Sequence, residues 1–167
     1  MRFTAPAIAA SAIIACAVPA TAQDPPQLVH VFTITAEIDA AVDVGQTVRG
    51  ARRFIPITGG QVEGDRINGT VRSGAWDWQI DRPDGCTELE ADYFIETHDG
   101  ALINVVNLAA ICPPAEGEVP KPIFTSPSFE PPMGVYQWLG QGTFVGQLQM
   151  AQDHPVPAVR IAIYRVE

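Results

Sequence analysis

The sequence predicts an all-β protein with antiparallel connections, on three observations. Stretches rich in β-branched and aromatic residues recur at strand length, and helical periodicity is almost absent beyond residue 22. Clusters of Gly, Pro and Asp separate these stretches at intervals too short for crossover helices. In the segment 88–96 one face reads Leu89, Ala91, Tyr93, Ile95 and the other Glu88, Glu90, Asp92, Phe94, Glu96. That alternation belongs to a strand with one apolar side. About eight such strands in one domain of a 167-residue chain make either a closed barrel or a sandwich.

Residues 1–22 read as a secretory signal peptide. Arg2 supplies the basic start, Ala7 to Val18 the apolar stretch, and Ala20-Thr21-Ala22 the small residues before a cleavage point. Ile13-Ile14-Ala15-Cys16 offers an alternative, a lipoprotein leader with Cys16 as the lipidated terminus. Cleavage after Ala22 is the primary expectation, and it makes the protein periplasmic or secreted. A flexible stretch, 23–27, then leads into one domain at 28–167. Leu28 to Ile38 is a full strand, 40–50 a loose connection, and Arg53 to Ile57 a short strand. Gly59-Gly60 is read as a turn into Gln61-Val62-Glu63. Strands follow at Ile67 to Arg72, Ala75 to Ile80, Cys86 to Thr97 and Ala101 to Ala109. Seven prolines in 113–132 predict a long loop, and Gly142 to Met150 and Ala158 to Val166 close the chain.

Composition narrows the partners. With 10 Lys+Arg against 19 Asp+Glu, the formal charge is −9, which argues against a nucleic-acid partner, and with Lys121 as the one lysine a polybasic membrane patch is excluded. No apolar run beyond the leader is long enough for a membrane span. A small molecule is the expected partner, and the oligomeric state is left open.

Two of the three cysteines, Cys86 and Cys112, lie in the expected mature chain. Thr97-His98-Asp99-Gly100-Ala101 has the chemistry of a three-residue hairpin loop, with Gly100 in the left-handed position. If Thr97 faces Ala101, the register carried back along both strands brings Cys86 opposite Cys112. In an oxidising compartment that predicts a structural disulfide.

The chemistry-bearing patterns are few. His30, His98 and His154 are far apart and lack ligand spacing, so no metal site is expected. No nucleophile elbow or phosphate-binding glycine loop is present, and no cofactor is expected. Acids set among aromatics remain: Asp77 between Trp76 and Trp78, and Glu130 after Phe129. A carboxyl held against apolar walls has a raised pKa, which suits proton transfer near neutral pH. Since Asp77 alternates with two tryptophans, it must take the opposite face of its strand.

The order of several segments resembles the DUF3237 (UPF0311) family. Gly50 to Gly60 (GARRFIPITGG) is similar to its G-x-R-R-x-x-P-I-T-G-G stretch, and Gly69-Thr70-Val71 to its G-T-V strand. Ala75-Trp76-Asp77-Trp78 falls on a G-A-D-W segment, Leu89 to Tyr93 on L-D-A-R-Y, and Thr97 to Ile103 on T-D-D-G-A-x-I. Phe129-Glu130 and Tyr136-Gln137-Trp138-Leu139 match an F-E pair and a Y-x-W-L. Ala75, Trp76, Glu90, Asp92 and Gly140 depart from the pattern, and the two cysteines lie outside it. The resemblance implies a single antiparallel β-barrel with a central cavity and leaves the activity open.

Two functions are carried forward. The first is a cofactor-free enzyme performing isomerisation, elimination or hydration on a small, partly aromatic molecule. Asp77 and Glu130 would act as acid and base, with Trp78, Tyr93, Asn107, Trp138 and Arg53 around the substrate. The alternative is a carrier that holds a small ligand in the same cavity without catalysis.

Overall fold

The structure is a computed structural model that describes residues 24–167; the expected leader, with Cys16, lies outside the described residues. Ten strands form one sheet: β1 (Leu28–Ile38), β2 (Val42–Thr47), β3 (Gly50–Glu63), β4 (Gly69–Val71), β5 (Ala75–Asp81), β6 (Thr87–Thr97), β7 (Leu102–Ile111), β8 (Ile123–Glu130), β9 (Phe144–Met150) and β10 (Ala158–Val166). The β1 strand pairs with β10, and the wall continues through β9, β8, β7 and β6. From β6 it passes to β4 and β5, both of which pair with β3, and β3 returns to β1. With β4 and β5 forming one interrupted stave, this is a closed antiparallel barrel of eight staves. No helix among the described residues is long and apolar enough to cross a membrane.

Three expectations need correction. Gly59-Gly60 is not a turn but a bend inside the long β3 strand, which pairs β2 and β5 in its first half and β1 and β4 in its second. Gly60 has φ +136°, and a Cβ there would lie 2.0 Å from the Thr35 carbonyl oxygen, so only glycine lets β1 approach. The loose connection at 40–50 holds the edge strand β2. The Pro-rich loop ends at residue 122, because Ile123–Glu130 is a strand. The β8–β9 ladder stops at Thr125, so Pro127 falls where its missing N–H costs no bond to β9.

The hairpin register is as expected: Thr87 faces Ile111 and Glu96 faces Leu102. Cys86 and Cys112 are joined in a disulfide, with Cα atoms 4.1 Å apart. That separation closes the open end of the hairpin just where the Pro-rich loop leaves β7.

Alternation sends one residue in two into the barrel, and the two ends use that interior differently. At one end Phe32, Phe129, Trp138 and Phe144 pack edge-on or tilted, with ring centroids 5.1–6.5 Å apart. Trp138 and Leu139 come from a short 3₁₀ turn, Gln137–Gln141, that covers this end. The Arg66 guanidinium lies 4.2 Å from the Trp138 ring centroid. Tyr136 donates to Asp99 Oδ1 at 2.9 Å, and Thr97 donates to the same oxygen, which ties the 3₁₀ segment to the β6–β7 turn. Those donors hold the Asp99 carboxyl below its ordinary pKa.

Candidate functional site

The other end is hollow. A cavity of ≈ 250 Å³ lies inside the wall, lined mainly by aliphatic side chains such as Ile38, Ile55, Leu89, Ile111 and Leu148. Its polar groups follow from the register. One inward row runs Ile55, Asp77, Ala91, Asn107, Pro127 across β3, β5, β6, β7 and β8. Asp77 and Asn107 therefore flank Ala91, whose short side chain leaves room between them. One row deeper Tyr93 faces Val105, and one row nearer the mouth Gln79 faces Leu89. Thr125 stands on β8 two residues before Pro127, and Gly146 makes space for it, since a Cβ there would lie 2.2 Å from Thr125 Oγ1.

Asp77 is the carboxyl group among the described residues that line this lumen. Burial raises its carboxyl above the ordinary 3.8; the Gln79 amide, the Glu90 backbone amide and Arg53 pull the other way without cancelling it. Its Oδ2 accepts from Gln79 Nε2 at 2.7 Å. The orientation of Gln79 is fixed by Arg53, whose Nε donates to Gln79 Oε1 at 2.8 Å. Arg53 Nη1 is held by Asp81 Oδ2 at 2.8 Å, and Asp81 accepts from Thr87 as well. Arg53, Gln79 and Asp77 thus form a relay from the rim inwards, in which the guanidinium decides which end of the amide meets the carboxylate.

Four buried side-chain atoms have no hydrogen-bond partner among the described residues: Asp77 Oδ1, Tyr93 Oη, Asn107 Oδ1 and Thr125 Oγ1. All four residues line this one cavity. A buried polar atom without a partner costs free energy, so their concentration in one place marks a site able to receive matching groups. Full burial drives the Tyr93 phenol far above its ordinary pKa of 10.0, so it is a neutral hydrogen-bond donor at every physiological pH.

The expected site is only partly assembled. Asp77, Tyr93 and Asn107 line the cavity, and Arg53 reaches it through Gln79. Glu130 is exposed on the outer face of β8, because inward positions on that strand are Thr125, Pro127 and Phe129; no acid–base pair with Asp77 forms. Trp78 lies outside the barrel, 5.7 Å from Phe54 and 5.6 Å from the Arg52 guanidinium. Trp138 belongs to the aromatic end. The expected aromatic wall is therefore aliphatic, apart from Tyr93. Sequence reasoning missed Gln79 and Thr125. Gln79 was findable, since it stands two residues from Asp77 and so shares its face, whereas Thr125 was lost in the segment read as a loop. Among the described residues no three His, Cys, Asp or Glu side chains gather as metal ligands.

Fold and site together define a closed β-barrel with an internal cavity at one end and, among the described residues, one carboxylate in its lining. The chain belongs to the family described as "Protein of unknown function (DUF3237)", which matches residues 26–166. A UPF0311 protein of Rhodopseudomonas palustris is 43% identical over 138 residues, covering 76% of this chain and 90% of the relative. The crystal structure of a Rhodopseudomonas palustris protein of unknown function superimposes with a TM-score of 0.75 at 37% identity, covering 87% of this chain and 100% of that one. A β-barrel-like protein of Acinetobacter baumannii gives a TM-score of 0.74 at 29% identity, covering 87% and 99%. A Penicillium herquei protein described as an enzyme shares the fold at 24% identity, with a TM-score of 0.67 and coverage of 89% and 99%.

Proposed function

We propose that the hollow end is the active site of an isomerase- or lyase-type enzyme that needs no cofactor, with Asp77 as its acid–base group. The observation that carries this is a carboxyl of raised pKa, with one unpartnered oxygen, in an aliphatic cavity of small-molecule size. Asp77 takes a proton from the bound molecule. It returns that proton at another carbon, which isomerises the molecule, or gives it to a departing hydroxyl, which releases water. Tyr93 stays protonated throughout and donates to oxygen on which charge develops.

The test is conversion of a compound by the protein. In a small-molecule extract of the source cells, followed by mass spectrometry, a compound should give way to a product of equal mass or one differing by a water. Asp77→Asn should slow that conversion at least about a hundredfold. The aliphatic wall and the outward Glu130 favour a second reading, a carrier, for which the same experiment gives a ligand retained unchanged by both proteins. We also take the protein to act outside the cytoplasm, as the leader and the Cys86–Cys112 bond support. The mature N-terminus should then be Gln23 by mass spectrometry, and an acylated Cys16 would replace that with envelope anchoring.

A further inference from the structure

We propose that the molecule taken into the lumen is a small, uncharged, mainly aliphatic carbonyl compound, bound with its carbonyl oxygen at Tyr93 and the adjacent carbon at Asp77. This rests on the acid–base reading of the site and gives it a substrate class.

Charge narrows the ligand first. An anion entering the cavity meets the Asp77 carboxylate. The neighbouring cation, Arg53, does not line the cavity; it is held at the rim by Gln79 and Asp81, each at 2.8 Å. A carboxylate or phosphate therefore has no guanidinium to receive it. A cation fares little better. It must shed its water into an aliphatic cavity and find one carboxylate, one of whose oxygens is already taken by Gln79. Uncharged molecules avoid both costs.

The unpartnered atoms give the rest. Tyr93, 2% exposed, and Thr125, 4% exposed, each carry a hydroxyl with no partner among the described residues. A carbonyl oxygen accepts from such a donor, and the other two unpartnered atoms, Asp77 Oδ1 and Asn107 Oδ1, are acceptors that face the carbon bearing the mobile proton. Tyr93 lies one row deeper than Asp77 and Asn107, and Thr125 stands nearer the mouth, so polar groups occur at three levels along the barrel axis. Tyr93 is the diagonal neighbour of Asp77 across the β5–β6 pair, about 7–8 Å away and within reach of a long side chain, so a carbonyl that accepts from the Tyr93 hydroxyl presents its neighbouring carbon to Asp77. There the step balances: the C–H bond breaks as a proton goes to Asp77. The C–H electron pair forms a C=C bond, and the carbonyl pair moves onto oxygen under the Tyr93 hydrogen bond. Return of the proton to that carbon restores the carbonyl, and in a β,γ-unsaturated compound its return at the γ-carbon gives the conjugated isomer, with no net loss of atoms or electrons.

Three probes of one ring size separate the alternatives: cyclohexanone, cyclohexanecarboxylate and cyclohexylamine. Their binding to the full chain is measured by isothermal titration, and exchange of the ketone's α-protons in heavy water by proton NMR. The ketone should bind most tightly of the three, and Tyr93→Phe, checked for an unchanged circular dichroism spectrum, should weaken it up to about tenfold. Thr125→Val serves as the second variant and should weaken the ketone less than Tyr93→Phe does. Tighter binding of the carboxylate or the amine, or binding of none of the three, overturns the substrate class. The exchange arm reads the acid–base role separately. A ketone bound through Tyr93 but not exchanged faster than in Asp77→Asn leaves the substrate class standing and removes the base.

Discussion

The two ends of this barrel are built from the same strands and spend their interior in opposite ways. At the aromatic end Phe32, Phe129 and Phe144 point inwards, and Trp138 and Leu139 close the space from a separate segment. At the hollow end the inward positions on neighbouring strands are Ala91, Ala109 and Gly146 beside medium-sized aliphatics, and a cavity of ≈ 250 Å³ results. Side-chain volume and the covering 3₁₀ segment make the difference. The aromatic end stabilises the fold, and that leaves the other end free to keep unpartnered polar groups.

The largest effect that separates the ends is truncation in the packed one. Phe129→Ala should cost about 3–5 kcal/mol, because it opens a void among three rings. Ile55→Ala, beside a cavity that already exists, should cost about 2 kcal/mol or less, at the low end of that scale. Chemical denaturation of both variants checks the contrast, and equal losses would break it.

Next comes the disulfide at the hollow end. Its enclosed loop, with a sequence separation of 26, corresponds to about 3.5 kcal/mol of chain entropy. The loss on Cys86→Ser with Cys112→Ser should approach that figure without abolishing the aromatic core. Near-ultraviolet circular dichroism, which reports the packed rings, is the measurement, and its collapse would show that the two ends are not independent.

How far the sequence led depends on the same division. The β6–β7 register and the Cys86–Cys112 pairing were legible because a short turn with Gly100 fixes the alignment locally. The strands β1 and β10 were legible from their unbroken β-branched runs. By contrast, β8 was hidden, since Pro127 looks like a loop residue until one knows that β9 has already parted from the strand. Opposite faces for Asp77 and its two tryptophans followed from alternation. Which face was the lumen did not, because that depends on β3 and β6 supplying Ile55 and Ala91 beside it. Glu130 misled for the same reason: its neighbour Phe129 takes the inward position.

A smaller effect concerns Asp77 itself. Its pKa is raised in the folded protein, so its ionisation opposes folding: the penalty is absent below 3.8 and grows as pH rises through the higher folded value. Asp77→Asn keeps an oxygen for Gln79 and removes the charge, so it should melt higher than the wild type at pH 7. The two melting temperatures should converge below pH 3.8. Smallest of all, Glu130→Ala on the exposed outer face should change stability by less than about 0.5 kcal/mol and leave ligand binding untouched.

On the proposed reading, the Asp77 carboxyl sits in a low-dielectric lumen and meets the ligand there. Carbon-13 NMR titration of the aspartate carboxyls, with Asp77 assigned by its loss in Asp77→Asn, tests this directly. The expected midpoint lies above 3.8 and moves when cyclohexanone is added. A midpoint at or below 3.8, unmoved by the ketone, would contradict it.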